Sequence, residues 1–214
     1  MTRTSPKAPA PDNSAILSEV GALAERIGAS RATSVWSSEL QLTPISTLEA
    51  LTAWMAYYRQ TILVEQEWPV VLEAWQLTRE GKFKDLIRLD KQCDRWMSSM
   101  PFHEASRAVG QRQLGRLRAL RDQRIILRYL EAIEARRANG WHPVVYGLYL
   151  AVFNLPLRQG LVNFGAQTMR GMLRGVCQGP LLTDTQIEDA IEQEVGLLPK
   201  SLPELPGERL FLNH

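Results

Sequence analysis

The sequence predicts an all-α protein, a single compact multi-helix domain of about nine or ten helices. Three observations carry that expectation. Apolar residues recur at i, i+3, i+4 and i+7 along most of the chain, the spacing that puts them on one face of a helix. Strand signals are nearly absent, because no Asn-Gly or Asp-Gly turn sits between two alternating apolar runs. Helix punctuation is dense, with prolines at first turns and hydroxyl residues followed three positions on by Glu or Gln. A chain of 214 residues is long enough for one sizeable core. The expected organisation is a flexible leader over 1–13, a helical domain over 14–198 and a Pro-rich, extended tail over 199–214.

The elements follow in order. Ile16, Leu17, Val20, Leu23 and Ile27 share one face of a first helix that starts at Asn13 or Ser14. Ser46 and Glu49 stand at capping-box spacing and open a second helix through Glu67, with Leu48, Leu51, Met55, Tyr58 and Ile62 as its stripe. Pro69 suits the first turn of a third helix that stops near Gly81. The segment KFKDLIRLDKQCDRWMSSM gives a fourth, and Pro101 starts a fifth. A sixth carries Ile126, Leu130 and Ile133, and Asn139-Gly140 is read as its C-cap. Pro143 opens a seventh that ends at Leu155-Pro156, and an eighth follows over LRQGLVNFGAQTMRGMLRGVCQG. Thr183 and Gln186, again at capping-box spacing, open the last.

The chemistry-bearing residues are few. A net charge of +2 gives no global pull toward nucleic acid, and no run reaches the length of uncharged apolar sequence that a membrane span requires. A cytoplasmic protein is expected. Cys93 and Cys177 have no CxxC partner, so both read as small buried hydrophobes. No catalytic residues and no metal site are predicted: no HExxH, GxSxG, Walker A or Rossmann pattern occurs. His142 and His214 come nearest to metal candidates, and a capping or packing role for His142 stands against that reading. Gly171, Gly175 and Gly179 recur every four residues and read as a row that lets another helix approach. The arginines at 112, 116, 118, 121, 124, 128, 136 and 137 are spread around their helices and interleaved with acids, a solvated face or a face for an acidic protein partner. Arg107 is expected to meet an acidic residue, Glu104 or one on a neighbouring helix.

Two segments together point to a family. HEASRAVGQRQLGRLRAL resembles the E-A-S-R-x-M-G-R pattern of the urease accessory protein UreF, matching at Glu104, Ala105, Ser106, Arg107 and Gly110, with Val109 for Met and Gln111 for Arg. HPVVYGLYLAVFNLPLRQG is similar to the family's H-P-V-x-F/Y-G, apolar helix, L-P-L, matching at His142, Pro143, Val144, Gly147, Leu155, Pro156 and Leu157. Leu86, Leu89 and Asp90 echo an L-x-x-L-D segment, and Pro180, Leu181, Thr183, Asp184 and Gln186 echo P-L-G-Q-T-D-x-Q. The resemblance covers roughly Leu48 to Ile191. Both ends depart from the pattern: the N-terminal L-P-x-G-x-F motif is gone, and only Arg209, Leu210 and Phe211 match the tail.

What the resemblance implies is an all-helical, non-enzymatic scaffold. It would bridge a UreD-type protein (also called UreH) and the UreG-type GTPase, so that nickel is delivered to apo-urease, with no cofactor bound tightly. It also allows a homodimer, implies no nucleic-acid or membrane partner, and makes Arg209, Leu210 and Phe211 candidates for partner binding. The degraded ends motivate an alternative: a UreF-like helical interaction module with changed partners, no longer serving urease. A small-molecule enzyme using His103 or His142 is the third reading.

Overall fold

The computed structural model describes residues 45, 47–117, 124–176 and 182–203. Among these residues every regular element is helical, in agreement with the expected class. The first, α1, is one continuous rod made of α-helical Leu48–Tyr57, π-helical Tyr58–Glu67 and α-helical Trp68–Arg79. There follow α2 (Phe83–Met97), α3 (His103–Arg116), α4 (Arg124–Glu134), α5 (His142–Val152), α6 (Leu157–Val176) and α7 (Asp184–Leu197), closed by a 3₁₀ turn, Leu198–Ser201.

Seven helices among the described residues replace the expected nine or ten. The helix expected to begin at Asn13 or Ser14 lies outside the described residues, as do the leader and most of the tail. The helices expected on either side of Pro69 are one rod. Proline has no N–H and its ring crowds the carbonyl four residues back, so an α-helix normally kinks or breaks there. Here the preceding stretch is in π register, with the Trp68 N–H reaching back to the carbonyl of Leu63. The widened turn carries the chain past Pro69 without a break.

Local signals account for most boundaries. The cap of α1 falls one residue later than expected: the Thr47 hydroxyl accepts the Ala50 N–H at 3.2 Å. At α7 the Thr183–Gln186 capping box is complete in both directions. Gly81 ends α1 in the left-handed region at φ +67°, while the Lys82 N–H closes on the Leu77 carbonyl at 2.9 Å. Asn154 does the same for α5 at φ 51°, and the Leu155 N–H closes on Leu150. The end of α4 corrects the sequence reading. Arg136, at φ 56°, takes the left-handed cap and Arg137 closes on Ala132. Asn139-Gly140 lies beyond that cap and belongs to the next loop.

Helix α5 sits at the centre. Every residue from His142 to Leu150 is buried, as expected for a helix apolar all round. The C-terminal third of α1 packs along one side of α5, and α3 packs on another. At the α1 contact, a Cβ on Gly147 would overlap the Val71 carbonyl and come within 2.7 Å of the Ala74 Cβ. The far end of the fold is tied by polar contacts. Arg59, in the π stretch, meets Glu194 of α7 at 2.7 Å, and the Trp68 indole donates to the Leu161 carbonyl of α6 at 3.0 Å. Among the described residues, no helix is long and apolar enough to cross a membrane.

Candidate functional site

Three of the segments matched to family patterns, on α2, on α3 and at the start of α5, converge on one loop, residues 139–141, between α4 and α5. On α2, Leu86, Leu89, Cys93 and Met97 form the buried face, and Asp90 falls among them with no exposed surface. Its carboxylate accepts the backbone N–H groups of Asn139, Gly140 (3.0 Å) and Trp141 (3.3 Å), together with the Tyr129 hydroxyl of α4. One turn on, Asp94 accepts from the Asn139 side-chain amide at 2.7 Å and from the Trp141 indole at 3.1 Å. The pair at i and i+4 thus clasps the loop from one side.

Helix α3 closes the other side. Gln111, which stands where the family pattern carries arginine, donates to the Asn139 carbonyl at 2.8 Å. Gly110 is required here by space: a Cβ would overlap the Gly140 carbonyl and sit 2.9 Å from the His142 nitrogen. Gly140 itself adopts φ +75°, and a Cβ there would meet the Ile133 side chain at 2.8 Å. The loop therefore meets α3 at backbone distance, while α2 and α4 reach it through side chains, with the donors of the loop satisfied by carboxylates.

His142 leads from the clasp into an aromatic cluster. Its ring stacks on Phe164 of α6 with centroids 4.8 Å apart and meets Tyr146 edge-on at 5.9 Å. Burial pushes its pKa down to about 3, so the imidazole is neutral at physiological pH. Of the two roles set against a metal ligand, it takes packing: the N-cap position belongs to Trp141, which makes no side-chain cap. Burial also shifts the other titratable groups nearby. Burial raises the Cys93 thiol and the Tyr146 hydroxyl, and brings Tyr149 to about 12. Burial raises the Asp90 carboxyl too, against the pull of its backbone and Tyr129 donors. Among the described residues, no group of three or more His, Cys, Asp or Glu is placed to hold a metal ion.

The remaining motif positions are dispersed. Arg107 pairs with Glu104 one turn before it, at a half-exposed position on α3. Ser106 is buried, and its hydroxyl finds no hydrogen-bond partner among the described residues. Pro143 is buried in the first turn of α5, Pro156 is exposed just after Asn154, and Asp184 is exposed at the start of α7, where Gln186 completes the cap. Gly171 is buried in α6, and Gly175 lies in the same helix. In the same helix a Cβ on Gly160 would crowd Leu150, and one on Gly165 would crowd Leu63. Gly179, Pro180, Arg209, Leu210, Phe211 and His214 lie outside the described residues. Sequence reasoning missed Asp94, Tyr129 and the Tyr58–Glu67 pair. The signal was present for the clasp, since an acid repeated at i, i+4 with one member on the apolar face asks for buried donors.

Fold and site define a class: an all-α domain whose motif residues hold helices around one buried loop. The chain belongs to the UreF family, whose model, described as UreF, matches residues 45–179. A curated relative, the urease accessory protein UreF of Sporosarcina pasteurii, is 26% identical over 125 residues, which is 58% of this chain and 62% of that protein. The chain therefore spans less than two thirds of that relative's length. No solved structure matches.

Proposed function

We propose that this protein is a non-enzymatic scaffold for urease maturation, bridging a UreD/UreH-type protein and a UreG-type GTPase so that nickel is inserted into apo-urease in the cytoplasm. The observation that carries the reading is family membership over residues 45–179, with the matched motif residues Asp90, Gly110, His142 and Gly147 all serving the frame. A frame of this kind acts through the surfaces it presents. Holding two partners together makes nickel transfer effectively intramolecular, at effective concentrations on the order of mM. Nickel is then cargo passing between partners, and this chain retains no tightly bound cofactor. Co-purification of the full chain with the UreD/UreH-type and UreG-type proteins of its own organism is the expected result, with loss of urease activation when the chain is deleted. Binding to neither, with urease activity intact in the deletion strain, would sink the proposal.

A second reading is favoured by the ends of the chain. The family match stops at residues 45 and 179, and the N-terminal and C-terminal patterns are mostly lost. On this reading the fold is kept and the partners have changed. A genome without urease structural genes would select it.

A further inference from the structure

We propose that the flank shared by α2 and α4 is a docking face for a carboxylate-rich surface of a partner protein other than a second copy of this chain. On α2, Lys84, Arg88, Lys91 and Arg95 are all exposed. Their spacing of four, three and four residues sets them in one row along the helix. The row lies opposite the buried Leu86, Leu89, Cys93 and Met97. Helix α4 extends it. Arg128 lies over the Phe83 ring of α2 at 4.3 Å, Arg124 is one turn before it, and the Lys91 ammonium reaches the Arg136 carbonyl at 3.5 Å.

Where the carboxylates go is what leaves this face basic. Asp90 and Asp94, the acids in the middle of α2, are turned inward and engaged in the clasp. Asp85 pairs with Arg88, whose side chain still keeps 66% of its surface exposed. On α4 itself, Glu131 and Glu134 dilute the charge, so the excess concentrates along α2 and its seam with α4. The whole chain carries only +2, so this is a local concentration of charge and not a global one. Rigid helical cations of this kind steer and orient an acidic partner.

Two other occupants fit less well. In a two-fold dimer the same patch faces itself, which would set cations against cations. A single-stranded nucleic acid would want exposed aromatic rings between the cations, and the ring here, Phe83, is half-buried under Arg128.

The test uses the full chain and a four-site reversal, K84E/R88E/K91E/R95E, with R79E/K200E as a control of surface charge elsewhere. Fluorescence anisotropy against poly-L-glutamate and against duplex DNA reads the chemistry, and circular dichroism checks that both variants stay folded. The expected result is salt-sensitive binding to poly-L-glutamate that weakens about tenfold or more in the four-site variant and less than about twofold in the control. Absence of binding by the unmodified chain, equal loss in both variants, or tighter binding to the duplex would overturn the proposal. If the four-site variant fails to fold, R88E and R95E singly give the same readout. A photo-crosslinker at Lys91 in the native cell then locates the partner. Crosslinks to an acid-rich surface of another protein support the proposal, and crosslinks to a second copy, or none, refute it. Because these readouts do not depend on urease activation, their failure is distinguishable from failure of the scaffold reading.

Discussion

Asp90 and Glu67 are both carboxylic acids with no exposed surface, but their surroundings differ sharply. Asp90 receives three backbone N–H groups and the Tyr129 hydroxyl, and so ties a loop to two helices, α2 and α4. Glu67 closes the π stretch of α1. One of its oxygens accepts from Tyr58 at the other end of that stretch, and the other oxygen finds no partner among the described residues. The lesson is that burial alone does not say what an acid does. With donors on every side it is a structural tie, and with one donor it is a titratable weak point.

The largest expected effect comes from breaking the tie. Asp90→Ala strips the acceptor from three loop N–H groups and one hydroxyl at once, and should cost about 3–5 kcal/mol in urea unfolding. A loss under about 1 kcal/mol would mean that the clasp contributes little.

Next comes the pH dependence of Glu67. Burial raises Glu67 from 4.5 to about 7, against the opposing hydrogen bond from Tyr58. A raised carboxyl pKa means that the folded state holds the proton more tightly. Its stabilising contribution is complete below about pH 4.5 and is lost as pH rises through about 7. The difference in unfolding free energy between the unmodified chain and Glu67→Gln should therefore change by about 3 kcal/mol across that window. A difference independent of pH would show that Glu67 is ionised throughout.

A further test asks how closely α1 packs on the central helix α5. Gly147→Ala forces a Cβ onto the Val71 carbonyl, a backbone atom that cannot rotate away. It should cost about 1–3 kcal/mol by thermal or denaturant unfolding, whereas Gly115→Ala, with nothing within 4 Å, should be neutral or stabilising. The smallest effect is expected at the rim of the clasp. Trp141→Phe removes the indole donor to Asp94 together with part of the buried ring. Its coupling to Asp94→Ala in a double-mutant cycle, which isolates the hydrogen bond from the lost packing, should be about 1 kcal/mol.

Much of this was legible in the residues. The all-α class, the Thr183–Gln186 box, the stop at Gly81 and the entrance at Pro143 each rest on groups within about one helical turn of one another. The family patterns also drew attention to Gly110, His142 and Gly147, without saying what each one touches. That reason lies across the chain: Gly110 needs the Gly140 carbonyl, Asp90 needs donors some fifty positions away, and Gly147 needs Val71.

What the sequence by itself determined is which stretches are helical and where most of them start and stop, because capping and the i, i+4 ladder are local. Only the tertiary structure decided that α1 runs unbroken past Pro69, that Arg136 and not Gly140 ends α4, and that His142 packs on Phe164. Each depends on what the rest of the fold supplies: a π register held by docking on α6 and α7, a loop held by two carboxylates, and a ring brought up from another helix. Such contacts form only when distant segments meet, and no local hydrogen bond announces them beforehand.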